Sequence, residues 1–206
     1  IFAKQSVKIM RVPQSDVVLS YKIVLVGPGG VGKTCLFNRY CFNSFSLNTE
    51  LTIGINFHST YLPIKLRKEG FKNVQKYLVH NIFDFGGQER FKPLIPKFLD
   101  GADGALLLFD SVSYASFEKL EYWIQQLEKH AGNDIPKLLI GCKSDLLEDA
   151  NEAEIVSNKY IENFVKSREL NGFFYTSARK NHNVLMCFKE LTKSILQKHE
   201  GEVYIC

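Results

Sequence analysis

Residues 22–34 read Lys-Ile-Val-Leu-Val-Gly-Pro-Gly-Gly-Val-Gly-Lys-Thr, and this stretch decides the fold class. The apolar run that starts after Tyr21 and ends in Gly27 has the composition of a strand buried on both faces. Directly behind it, Gly27-Pro28-Gly29-Gly30-Val31-Gly32-Lys33-Thr34 fits GxxxxGK[ST], and a helix is expected over residues 33–42. A glycine-rich turn between a buried strand and a helix lets consecutive backbone N–H groups point inward at phosphate oxygens, and the helix N-terminus adds its dipole. In that arrangement Lys33 reaches the β- and γ-phosphates, and Thr34 offers its hydroxyl to Mg²⁺. A ligand-free glycine turn would explain neither the lysine nor the hydroxyl.

Outward from this stretch the chain alternates strands and helices. Ile55, Phe57, Ser59 and Tyr61 alternate with polar neighbours, as do Tyr77, Val79, Asn81 and Phe83, so the two runs read as an antiparallel hairpin. Residues 104–110 (GALLLFD) and 137–143 (KLLIGCK) are again apolar runs, and the last strand is expected at residues 172–176. Helical spacing appears at Phe117, Leu120, Ile124 and Leu127, and in a closing helix over 184–196 carrying Leu185, Phe188, Leu191 and Ile195. The fold class is therefore α/β, a single domain on a mostly parallel six-stranded sheet with helices on both faces and one antiparallel hairpin strand. Such sheets bind ligands at the carboxyl ends of their strands.

Composition narrows the function classes. Of the 206 residues, 45% are hydrophobic and 23% charged, which is globular and far from the disordered range. No apolar run approaches the roughly 18 residues of a membrane-spanning helix. Five cysteines without CxxC spacing fit a reducing compartment, and five scattered histidines supply no zinc ligand set. The net charge of +4 is uneven, with basic residues gathered at Lys65, Arg67, Lys68, Lys72 and Lys76, expected as a solvated hairpin tip. A nucleic-acid partner is not expected.

Three further segments fall at expected strand ends. Asp84-Phe85-Gly86-Gly87-Gln88 places an acid, a glycine and an amide there. Beside a phosphate loop, Asp84 can hold a Mg²⁺-bound water, the Gly87 N–H can meet a γ-phosphate, and Gln88 can orient an attacking water. Cys142-Lys143-Ser144-Asp145 ends one apolar run, and Thr176-Ser177-Ala178-Arg179 ends the last. A carboxylate such as Asp145 can accept two parallel hydrogen bonds from N1–H and the exocyclic amine of guanine, a donor pair that adenine lacks.

With these four segments in order, the chain resembles the small GTPases of the Ras superfamily, most closely the Rab-like branch through GGQERF (86–91) and LFDSVSYASFEKLEYW (108–123). The resemblance covers about residues 20–198, leaving an N-terminal extension (1–19) and a C-terminal tail (199–206). It implies a single nucleotide-binding G domain, with GTP/GDP and Mg²⁺ as cofactors. Gly29, Gly30, Val31, Gly32, Lys33, Thr34 and Cys35 match the phosphate-loop positions, and Lys143, Asp145, Ser177, Ala178 and Arg179 the base-recognition positions. Phe45, eighteen residues after Gly27, matches the aromatic that stacks on the base edge. Thr52, twenty-five after Gly27, matches the threonine whose hydroxyl binds Mg²⁺ and whose N–H meets the γ-phosphate. The metal set so implied is Thr34, Thr52 and, through water, Asp84; the catalytic set is Gln88, Lys33, Thr52 and Gly87.

Departures from the family pattern carry information too. Cys142 stands where the family has an asparagine whose amide ties the base loop to the phosphate loop, and a thiol is a weak donor and acceptor. Losing one or two such bonds costs about 1–3 kcal/mol, roughly 5- to 150-fold in affinity, so weaker binding and faster exchange are expected. Phe83, Phe85 and Gly86 make the second segment similar also to the GGQ pattern of Arf-type and heterotrimeric α-subunit GTPases. The hairpin is longer than in Ras. The last residues, Tyr204-Ile205-Cys206, form neither a CaaX box nor a paired-cysteine signal. No arginine lies between Asn43 and Thr52 to serve as a finger in cis, so slow intrinsic hydrolysis is expected.

The expected function is a GTP-hydrolysing switch in intracellular signalling or vesicle trafficking, a monomer served by an exchange factor, a GTPase-activating protein and effectors. A cytoplasmic location is expected, with peripheral attachment to an intracellular membrane as the second option. The rival from another class is a pseudo-GTPase or adaptor that has lost turnover, with Cys142 as the feature in its favour. An ATP-using phosphate-loop kinase is disfavoured by Asp145.

Overall fold

The computed structural model describes residues 12–47, 52–66, 74–86, 93–198 and 203–205. Strands β1 (Val17–Val26), β2 (Ile55–Leu66), β3 (Val74–Phe85), β4 (Gly104–Asp110), β5 (Lys137–Cys142), β6 (Phe173–Tyr175) and β7 (Val203–Ile205) form one sheet in the order β6-β5-β4-β1-β3-β2-β7. β1 lies between β3 and β4 and runs parallel to both, and β5 and β6 continue the parallel part. β2 is antiparallel to β3 over an unbroken register from Ile55↔Phe85 to Leu66↔Val74. These six strands are those expected from the sequence.

The seventh strand is an addition to that expectation. Val203–Ile205 pairs antiparallel with Leu66, Lys65 and Ile64 and covers the outer edge of β2 there. The long hairpin extends the edge of β2, and a short β-branched and aromatic segment pairs with its last three residues. Three residues are too few to show a period.

β1 also starts earlier than its apolar run, at Val17, because the long β3 supplies partners as far as Tyr77. Its first four residues are partly or well exposed, so they do not read as a doubly buried strand. Lys76 is corrected as well. It sits on β3, not at a solvated tip, and pairs with Asp16 at 2.8 Å while donating to the Ser15 carbonyl. The rest of the basic cluster from Arg67 to Lys72 lies outside the described residues. Within β2 the apolar alternation points outward at Phe57 and Tyr61, while Leu62 and Ile64 are buried.

Alternate residues of the central strands feed two cores. Ile23, Leu25, Leu106 and Leu108 pack with helices α1 (Lys33–Phe42) and α6 (Val184–Lys198). Val24, Val26, Leu107 and Phe109 face α2 (Ile95–Leu99), α3 (Tyr114–Glu118), α4 (Leu120–Ala131) and α5 (Asn158–Ser167). Each large side chain so buried contributes about 1.5–3 kcal/mol. The period through Phe117, Leu120, Ile124 and Leu127 is divided at Lys119 into α3 and α4, and all four residues are buried.

The α1–α6 layer also contains a buried polar network. Tyr40 of α1 stacks on Phe188 of α6 with ring centroids 3.7 Å apart. His80 of β3, fully buried, lies within hydrogen-bond distance of the Tyr40 hydroxyl through Nδ1 (2.8 Å) and of Thr192 Oγ1 through Nε2 (2.9 Å). Thr192 gives its proton to the Phe188 carbonyl at 2.6 Å, so it accepts from His80 Nε2–H, and Nδ1 accepts from Tyr40. Burial holds this imidazole neutral and lowers its pKa to about 4.

Candidate functional site

The carboxyl ends of β1, β3, β5 and β6 open onto one cleft of about 350 Å³, the size of a small-ligand site. At one end lies the loop between β1 and α1. Gly27 has φ +146, and a Cβ there would come within 2.2 Å of the Leu108 carbonyl oxygen, so only glycine lets β1 turn this close to β4. Gly32, the N-cap of α1, has φ +106, a left-handed conformation that aims the next residues into the helix. Lys33 Nζ folds over the loop and donates to the Gly27 and Pro28 carbonyls at 2.7 and 2.6 Å.

Behind the loop, three oxygen-bearing residues converge. Thr34 Oγ1 donates to Asp84 Oδ2 at 2.7 Å, so in its 2.6 Å contact with Thr52 it accepts the Thr52 proton. Asn56 Nδ2 donates to the same Asp84 oxygen at 3.0 Å. The other oxygen, Oδ1, is buried with no hydrogen-bond partner among the described residues. Burial raises the Asp84 pKa, against the bonds from Thr34 and Asn56 and the nearby Lys33 charge. Burial likewise lowers Lys33 to about 8, with the Asp84 charge opposing. Two hydroxyls and a carboxylate with an unsatisfied buried oxygen form the hard donor set that suits Mg²⁺, so these residues fit the ion. Among the described residues no cluster of three His, Cys, Asp or Glu side chains could hold a different metal.

At the other end of the cleft stand Lys143, Asp145, Leu146, Thr176, Ala178 and Arg179. Lys143 takes up a left-handed backbone conformation (φ 60) and its Nζ pairs with Asp110 Oδ2 at 2.6 Å. Asp145 Oδ1 accepts from the buried Ser177 hydroxyl at 2.6 Å, and the same hydroxyl accepts from Lys180 N at 3.0 Å. Ser177 therefore orients the carboxylate without lining the cleft. Cys142 lines the boundary between the two ends. A Cβ on Gly32 would lie 3.5 Å from its Cβ, so the side chain packs against the phosphate loop. Thr176 Oγ1 donates to its sulfur at 3.9 Å, and burial pushes the thiol pKa up to about 12.

The cleft thus collects Gly29, Gly30, Gly32, Lys33, Thr34, Cys35, Phe45, Thr52, Cys142, Lys143, Asp145, Ala178 and Arg179 of the expected site. Asp84 sits behind Thr34, and Val31 packs its side chain into the core. Gly87 and Gln88 lie outside the described residues. Sequence reasoning missed Leu146, Ser46 and Leu47 in the lining, and Asp110 as the partner of Lys143. Asp110, the last residue of β4, could have been suspected from its place at a strand end.

The Ras family model matches residues 22–197, which span both ends of this cleft. The chain belongs to the Ras family. Among its relatives, GTP-binding protein yptV2 of Volvox carteri is 33% identical over 190 residues, covering 92% of this chain and 81% of that protein. Ras-related protein Rab-11A of Dictyostelium discoideum is 35% identical over 175 residues (85% and 75%), and Ras-related protein Rab-10 of Diplobatis ommata 31% over 180 (87% and 83%). The chain is therefore a Rab-like small GTPase of the Ras superfamily. No helix among its described residues is long and apolar enough to cross a membrane.

Proposed function

We propose that this Rab-like chain binds GTP and GDP with Mg²⁺ in the cleft, hydrolyses GTP slowly, and acts as a switch in vesicle trafficking at an intracellular membrane. An exchange factor, a GTPase-activating protein and effectors complete the cycle, and the nucleotide-binding unit corresponds to residues 20–198 of a monomer. One observation carries the reading: Lys33, Thr34, Thr52 and Asp84 converge at one end of the same cleft that presents Asp145 at the other. The first set suits a phosphate chain and a hard cation, the second a guanine edge.

Lys33 brings a positive charge, on a side chain already oriented by two carbonyls, to the place where the leaving phosphates gain negative charge. Thr34, Thr52 and, through water, Asp84 would hold Mg²⁺, which would neutralise phosphate charge when bound. Thr52 lies on the segment after α1 and joins Thr34 by a side-chain bond, so a ligand at Thr34 is coupled to the backbone of that segment. By the family resemblance, Gly87 N–H would meet the γ-phosphate and Gln88 would orient the attacking water. Phe45 closes the base edge, and Ser177 holds Asp145 ready for the two guanine donors.

The adaptor reading is favoured by a single observation, the buried thiol of Cys142 packed on Gly32. Phosphate release from bound GTP separates the two. Slow release by the wild type, lost in Gln88→Leu while GTP stays bound, is the expected result. Retained GTP without any release selects the adaptor, and equal release by both proteins removes Gln88 from the chemistry.

A further inference from the structure

A nucleotide bound as proposed above spans the cleft, so the two ends must stay at a fixed distance from each other. Resting on that reading, we infer that Arg39 is a positioning residue for the base loop, fastening α1 to the segment after β6. Arg39 Nε donates to the Ala178 carbonyl at 2.7 Å, a bond between residues 139 apart in sequence. Its Nη1 donates to the Asn43 carbonyl and side-chain oxygen at 2.9 and 3.0 Å. Asn43 is the left-handed C-cap of α1, so the guanidinium is fixed to the end of the helix before it reaches across.

Ala178 follows Ser177, whose hydroxyl holds Asp145 and whose main chain exchanges two hydrogen bonds with His182. A pull on the Ala178 carbonyl is therefore felt at the carboxylate expected to read guanine. At its other end α1 begins with Lys33 and Thr34, so a rigid helix connects the phosphate groups to Arg39.

The second crossing point between the two ends is Cys142 against Gly32, and it is apolar in character. The thiol receives its hydrogen bond from Thr176, on the base side, and stays protonated at neutral pH. A van der Waals contact resists approach but only weakly resists separation or sliding. A charge-assisted hydrogen bond with a planar donor resists both, which makes Arg39 the directional tie.

Release of labelled GDP from the Mg²⁺-loaded protein tests this in four proteins besides the wild type: Arg39→Ala, Arg39→Lys, Cys142→Asn, and Arg39→Ala in the Cys142→Asn background. Arg39→Lys keeps the charge and the helix but cannot repeat the fixed fork. Both single Arg39 variants are expected to release GDP about tenfold faster than wild type. In the Cys142→Asn background, where an amide supplies a second polar tie, Arg39→Ala should raise release by less than threefold, a non-additive cycle. Melting temperatures of the nucleotide-free proteins should lie within a few degrees of each other, which a general loss of structure would not give. Release at the wild-type rate in Arg39→Ala, or the same fold-increase in both backgrounds, would overturn the role of Arg39. A wild type that takes up no GDP instead contradicts the reading of the cleft itself.

Discussion

The two ends of the cleft are built on different principles. At the phosphate end, Lys33 and Asp84 are almost wholly buried, each held by short bonds, and both have pKa values moved toward neutrality by that burial. At the base end, Lys143 and Asp145 are partly exposed and are held by side chains from other strands and loops, Asp110 and Ser177. The phosphate end therefore carries desolvated groups in a fixed geometry that a charged ligand relieves. The base end is open to tuning by substitution at its supports. Cys142 shows the contrast, since it replaces a polar group at the border yet leaves the bonds at the phosphate end intact.

The sharpest way to break this contrast is to remove recognition from the base end alone. Asp145→Ala should reduce the preference for GTP over ATP by about a hundredfold, measured by competition against labelled GDP, because a bidentate charge-assisted pair is lost. The groups that meet phosphate remain, so weak binding of both nucleotides should survive. Unchanged selectivity would place guanine recognition elsewhere.

The support beneath α1 gives the next effect, through pH. An ordinary histidine titrates near 6.5, whereas buried His80 titrates near 4, so between these values the unfolded chain binds more protons than the native one. Stability from this group is complete above pH 6.5 and falls as the pH drops toward 4, by about 2 kcal/mol at pH 5. Asp84, raised by burial, changes native stability in the opposite sense, so comparison with a variant isolates the histidine. His80→Gln should flatten the fall in urea midpoint between pH 7 and pH 5. An equal acid loss in both proteins would contradict the neutral buried imidazole.

A smaller effect tests the border. Cys142→Asn should slow GDP release by about tenfold by adding a polar tie between base and phosphate loops. Release at the wild-type rate would mean that packing at Gly32 suffices.

Much of this arrangement was legible from residue order because it rests on local patterns. The glycine spacing of residues 27–34, the apolar runs that become β1, β4 and β5, and the acids and amides behind each strand all depend on near neighbours in sequence. Thr52 follows from family spacing alone, and its hydroxyl lies 2.6 Å from that of Thr34. What remained hidden depends on distant pairs. Lys143 with Asp110, Arg39 with Ala178, Lys76 with Asp16 and β7 on β2 join residues that share no period, and each exists because the sheet brings strand ends or edges together. The exposure of Phe57 was hidden for a related reason. Alternation identifies a strand but not which side is covered, and here the larger aromatic side stays outside.

The central claim is that one cleft joins a phosphate end to a guanine end. It is tested most directly by denaturing the purified protein, separating the released nucleotide by ion exchange, and comparing its amount with that of protein. The account predicts guanine nucleotide, chiefly GDP, in near-equal amount to protein, retained in Mg²⁺ and lost when the ion is chelated. An empty protein that takes up neither added GDP nor GTP in Mg²⁺, or one that carries adenine nucleotide, would contradict it.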